Sequence, residues 1–101
     1  MLESALVKKV HKYCAQNNLL YINLQKTNLS GIPDALIINR NGQHFWFELK
    51  REDRTGRLSP IQEYRIKEMR GFNCVVNVVD SLSKLKEILN EKVNCNFDVS
   101  N

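Results

Sequence analysis

The sequence predicts an α/β fold: a mixed central sheet flanked by helices, in the order αβββαβ with one further helix at the end. Three observations predict it. Apolar residues recur at helical spacing in Leu2, Leu6, Val10 and Tyr13, and again in Leu82, Leu85, Ile88 and Leu89. Between these stripes lie short runs of aliphatic, β-branched and aromatic residues, the pattern of strands. A strand, a helix and a strand follow one another from Phe45 to Val79, which favours a right-handed crossover and a parallel last pair.

The first helix is expected over Leu2 to about Gln16, ended by Asn17-Asn18. Glu3 falls within its apolar stripe. An acid in a first turn suits the helix dipole and can simply be solvated, but on a buried face it needs a cation or water. His11 lies off the stripe and reads as solvated. Leu19 to Gln25 reads as a strand, followed by the polar loop Lys26-Thr27-Asn28-Leu29-Ser30-Gly31. Lys26 and Asn28 are candidate phosphate contacts, or plain solvated loop residues. Pro33 biases Ile32 toward extended backbone just ahead of Asp34.

Asp34 to Asn39 and Phe45 to Lys50 form a hairpin around Asn41-Gly42. Alternation puts Glu48 and Lys50 on the side of Trp46, with Phe45, Phe47 and Leu49 facing the other way. These aromatics read as core rather than as a base-stacking platform. A two-residue turn would pair Ala35 with Glu48. A three-residue loop, Arg40-Asn41-Gly42 with Gly42 left-handed, pairs Asp34 with Glu48, and that register is the expectation. Two facing carboxylates repel unless a hard divalent ion lies between them.

Arg51 to Leu58 reads as a polar loop beside this hairpin, and Arg51, Arg54 and Arg57 are candidate phosphate clamps or solvated surface. Ser59-Pro60-Ile61-Gln62 has the form of a helix start, with Ser59 as cap and Gln62 completing a capping box. Gln62 also lines up with Ile66 and Met69, so its amide could turn inward toward Lys50 instead. The helix is expected to end near Arg70 with Gly71 as its cap. Cys74 to Val79 reads as a buried strand, and Asp80 or Ser81 caps a last helix through about Val93.

At 101 residues the chain is expected to be a single domain, with a core from about residue 2 to 93 and a polar tail over 94–101. A net charge of +4 and a pI near 9.1 permit a polyanionic partner without demanding one. Cys14, Cys74 and Cys95 are odd in number and lack metal-ligand spacing, which argues against a disulfide framework or a zinc site. No apolar run approaches bilayer length, and the acidic start is unlike a signal peptide, so no membrane role and an intracellular location are expected.

The order Pro33-Asp34, then Glu48-Leu49-Lys50, resembles the signature of the PD-(D/E)XK nuclease superfamily. Glu3-Ser4, Gly31-Ile32-Pro33-Asp34, Phe47-Glu48-Leu49-Lys50, Gly56 to Gln62 and Gly71 together resemble one branch of it, the VRR-NUC or virus-type replication and repair nuclease domain, over roughly residues 2 to 90. The resemblance implies the PD-(D/E)XK restriction-endonuclease-like core, an inward role for Glu3 and Gln62, and a homodimer in the bacterial cytoplasm, as in free-standing phage members. It also implies cutting of branched DNA such as Holliday junctions.

The chemistry of these residues is compatible with that. Asp34 and Glu48 offer hard oxygen ligands, the Leu49 backbone carbonyl a third and Glu3 a fourth, a set suited to Mg²⁺ or Mn²⁺. Lys50 would orient the attacking water and offset phosphoryl charge, leaving a 5′-phosphate and a 3′-hydroxyl. No small-molecule organic cofactor is expected. Three other readings compete: a repair or restriction-type nuclease for flapped, nicked or linear duplex DNA, a non-catalytic nucleic-acid-binding module, and a protein-interaction domain. In the last two, Glu48 and Lys50 would be a mere surface ion pair.

Overall fold

The computed structural model describes residues 4–50 and 57–99, with side chains described through residue 90. Among the described residues seven elements follow one another: α1 (Ala5–Gln16), β1 (Leu20–Asn23), β2 (Ala35–Ile38), β3 (His44–Leu49), α2 (Pro60–Gly71), β4 (Val76–Val79) and α3 (Leu82–Val99). The sheet order is β1-β2-β3-β4, with β1–β2 and β2–β3 antiparallel and β3–β4 parallel. This is the mixed sheet and element order expected. β1, β2 and β4 are shorter than the spans expected for them, while β3 keeps six residues and begins one residue earlier, at His44.

Alternation along β3 sorts the core into two layers. Phe45, Phe47 and Leu49 face one way, into a cluster with Leu6, Val10 and Cys14 of α1 and Leu85 and Leu89 of α3. Trp46 faces the other way, against Ile66 and Met69 of α2 and Val76 of β4. Glu48 shares this second face by the same two-residue period. It is therefore carried under α2 by the strand that buries the largest aromatic side chains.

The hairpin adopts the three-residue loop. Ile38 pairs with His44 and Ala35 with Phe47, a register that brings Asp34 opposite Glu48 one step beyond the ladder. Asn39 builds the turn. Its side-chain oxygen accepts from the N–H groups of Asn41 and Gln43, and Gly42 takes φ +77°.

Helix termini follow the sequence signals with three differences. Helix α1, expected from Leu2, begins at Ala5, because Ser4 takes extended backbone as its N-cap. Ser4 caps α1 through the Val7 N–H, Ser59 caps α2, and the Ser81 hydroxyl accepts from Lys84 N–H. Gly71, expected as the cap of α2, lies inside the helix instead. The chain runs on to Phe72 as C-cap, and Asn73 takes the left-handed turn at φ +66°, which its short polar side chain tolerates. The last helix continues past the expected end near Val93 to Val99, since no Gly or Pro interrupts that stretch. Among the described residues, no helix is long and apolar enough to cross a membrane.

Candidate active site

Asp34 is held from both sides at the mouth of β2. Its carbonyl accepts from Leu24 N–H at 2.9 Å, and its carboxylate Oδ2 accepts from Leu49 N–H at 2.9 Å. The second bond prolongs the β2–β3 ladder by a side chain where the backbone pairing has ended. It fixes the carboxylate against β3 in a charge-assisted hydrogen bond.

Glu48 is buried, at 3% exposure, and its two carboxylate oxygens differ. Oε2 accepts from Gln62 Nε2 at 2.8 Å and lies 3.4 Å from Lys50 Nζ. Oε1 is buried with no hydrogen-bond partner among the described residues. A buried carboxylate oxygen left in that state costs free energy, so this one is poised for a ligand. Burial pushes the Glu48 carboxyl up to about 7, the Asp34 charge adds to the rise, and Lys50 opposes it.

Lys50 also donates to the Arg57 carbonyl at 3.0 Å, which anchors its ammonium at the end of β3 beside Glu48. Gln62 both caps the helix and turns inward, though its inward partner is Glu48 rather than Lys50. Its Oε1 accepts from Ser59 N–H at 2.9 Å, completing the capping box, while its Nε2 reaches Glu48. One amide thus couples the start of α2 to the carboxylate on β3.

Two contacts that support this arrangement left no local trace in the sequence. Gly31 sits at φ +81° against the first turn of α2, where a Cβ would lie 2.5 Å from the Ile61 carbonyl oxygen. Arg65, one turn further along α2, donates from Nε to the Ser30 carbonyl at 2.9 Å. The β1–β2 loop is thereby clamped to the helix that carries Gln62. Gly31 was legible as a backbone-shaping residue, but its neighbour thirty positions away was not.

Asp34, Glu48, Lys50 and Gln62 are brought together by the fold. Arg57 contributes its backbone carbonyl to the site, with its side chain exposed. Lys26 and Asn28 lie exposed on the β1–β2 loop, and Asn28 lines a cleft that ends at Asp34. Glu3, Arg51 and Arg54 lie outside the described residues. No cluster of three or more metal-ligating side chains occurs among the described residues, since only two acids converge. Those two nonetheless present hard, anionic oxygens, one of them unpartnered, which suits a hard cation better than zinc.

This arrangement can be set beside known proteins. A solved structure described as a VRR_NUC domain superposes with a TM-score of 0.71, covering 84% of this chain and 90% of that one at 22% identity. The chain has the fold of a VRR_NUC domain. No family model matches the sequence. No curated protein matches it either. The VRR_NUC fold is therefore established by superposition, and the site rests on the geometry described above.

Proposed function

We propose that this chain is a metal-dependent endodeoxyribonuclease that hydrolyses phosphodiester bonds in branched DNA such as four-way junctions. The observation that carries the reading is the state of Glu48: buried, opposite Asp34, bonded through one oxygen to Lys50 and Gln62 and, among the described residues, unpartnered at the other. In a purely structural ion pair the desolvation of that second oxygen would go uncompensated, whereas a bound cation would offset it.

Asp34 and Glu48 would hold Mg²⁺ or Mn²⁺, with the Leu49 carbonyl and Glu3 as further candidates. When bound, the ion makes water nucleophilic near neutral pH and offsets phosphoryl charge. Lys50 supplies the remaining positive charge. Its ammonium, held by Glu48 and the Arg57 carbonyl, would orient the attacking water and stabilise charge on the phosphoryl oxygens. Gln62 fixes the orientation of the Glu48 carboxylate. In-line attack leaves a 5′-phosphate and a 3′-hydroxyl. Two copies acting as a homodimer would nick two strands of one junction.

The test is nicking of matched junction, flap and linear duplexes with EDTA, Mg²⁺ or Mn²⁺. The wild type is expected to cut the junction only with metal, and Asp34→Ala and Lys50→Ala to lose at least about a hundredfold in rate. Equal cutting by all three proteins would exclude this site as the source of the activity.

A further inference from the structure

Between the β1–β2 loop and Asp34 lies an open cavity of about 520 Å³, within the size range of preformed ligand sites. Its walls include the apolar side chains of Leu24, Leu29 and Ile32, and Leu29 is 45% exposed. Gln25 and Asn28 line the same space, and their side-chain amides make no hydrogen bond to any described residue. Asp34 is part of its lining, so the cavity reaches one member of the acid pair.

We propose that this cavity receives an unstacked nucleobase next to the scissile phosphate, an inference that rests on the nuclease reading above. Charge selects a base over a phosphate. Among the described residues no lysine or arginine lines the cavity, and the negative charge of Asp34 on its lining repels an anion. Apolar walls offer a surface for the base, while two unspent amides offer both donors and acceptors to its edge. Each amide can present either its oxygen or its NH₂ group, so the cavity accepts more than one base. It therefore selects for DNA structure rather than sequence.

The cavity is built in advance of any ligand. The Thr27 hydroxyl donates to the Leu29 carbonyl at 2.9 Å, Arg65 holds Ser30, and Gly31 abuts the Ile61 carbonyl. A loop fixed in this way loses little conformational freedom on binding. Extracting a base from continuous duplex requires unpairing and unstacking, and a base at a branch point is already partly released. Occupancy of this cavity would thus favour branched over linear substrates.

The test uses a four-way junction carrying an abasic analogue, or 2-aminopurine, at each nucleotide flanking the cut. At one flanking position the abasic analogue is expected to slow wild-type cleavage about tenfold. The Gln25→Ala/Asn28→Ala double variant should lose about the same factor on the intact junction and nothing further on the abasic one. In Mn²⁺, 2-aminopurine at that position should change fluorescence on binding Lys50→Ala protein, and not when the double substitution is added. Full cleavage with the abasic analogue at every flanking position would overturn the inference. So would an equal loss by the double variant on intact and abasic junctions. A fluorescence change without cleavage by the wild type would retain the base cavity and sink the nuclease reading, and the absence of both would sink both.

Discussion

Burial of Glu48, reinforced by the Asp34 charge and opposed by the Lys50 ammonium, holds its carboxyl at about 7 rather than in the usual carboxylate range. The folded chain therefore binds this proton more tightly than the unfolded chain does. The resulting stability is fully present below about pH 4.5 and is lost as pH rises through about 7, a difference of roughly 3 kcal/mol at most. In EDTA, Glu48→Gln is expected to flatten this part of the stability profile, as read from melting temperatures between pH 4 and pH 8. An unchanged profile would assign the effect to another group. With metal present the sign matters for activity, because only the ionised carboxylate is a ligand. Cleavage at limiting Mn²⁺ should rise with pH through about 7, and more Mn²⁺ should move that rise to lower pH as the ion competes with the proton. At this scale the sequence was informative. Period-two alternation told the face of Glu48 and Lys50, while Gly42 suited both a two- and a three-residue loop, and the structure has the three-residue one that sets Asp34 opposite Glu48. The unpartnered Oε1 was not legible, since it depends on how α2 closes over the strand.

At the level of elements, α2 is where stability and the site share parts, and substitutions there separate the two. Ser59→Ala removes one half of the capping box and touches nothing in the acid pair. Gln62→Ala removes the other half together with the bond to Glu48. Each should cost about 1 kcal/mol in denaturant unfolding. Cleavage below the melting temperature should be nearly unchanged for Ser59→Ala and reduced about tenfold or more for Gln62→Ala. Equal activity would leave Gln62 with a capping role alone. The glycines give a second contrast. Gly42 and Gly31 both have positive φ, yet a Cβ at Gly42 meets nothing within 4 Å, whereas at Gly31 it collides with the Ile61 carbonyl. Gly42→Ala should cost roughly 1 kcal/mol from the backbone alone. Gly31→Ala should cost about 3 kcal/mol or more and should also lower cleavage, because relieving the clash moves the first turn of α2 and Gln62 with it. Similar losses for the two would mean that the loop moves freely relative to the helix. These long-range contacts were hidden in the sequence for a simple reason. Periodicity reports which face of an element is apolar, and says nothing about which loop it will meet. The same gap explains Gly71: a glycine near a helix end was read as its stop, while Asn73 had the turn geometry to serve two positions later.

In the whole molecule, the two acids face each other across one antiparallel hairpin, Asp34 half-buried just ahead of β2 and Glu48 buried on β3 beneath a helix that arrives later in the chain. Element order and sheet pairing were readable from hydrophobic periods and turn residues, because short-range rules decide them. Convergence of the site required the crossover through α2, and only the folded chain displays it. This dependence makes metal binding a property of the fold rather than of a peptide segment. An unfolded chain does not hold Asp34 and Glu48 together, so an ion bound by both stabilises only the native state. At a concentration one hundred times its dissociation constant, the gain is about 2.7 kcal/mol. For a domain of this size that corresponds to a melting temperature higher by roughly 10 °C or more. The rise should be larger at pH 8 than at pH 6, since at the lower pH the ion must first displace the Glu48 proton. Asp34→Asn and Glu48→Gln should each abolish most of it, whereas the hairpin-turn variant Gly42→Ala should melt earlier yet retain the full increment. Calorimetric scans of the four proteins in EDTA and in Mn²⁺ provide the measurement. A wild type that melts at the same temperature in both would show that the paired carboxylates do not chelate a cation, whatever else the domain does.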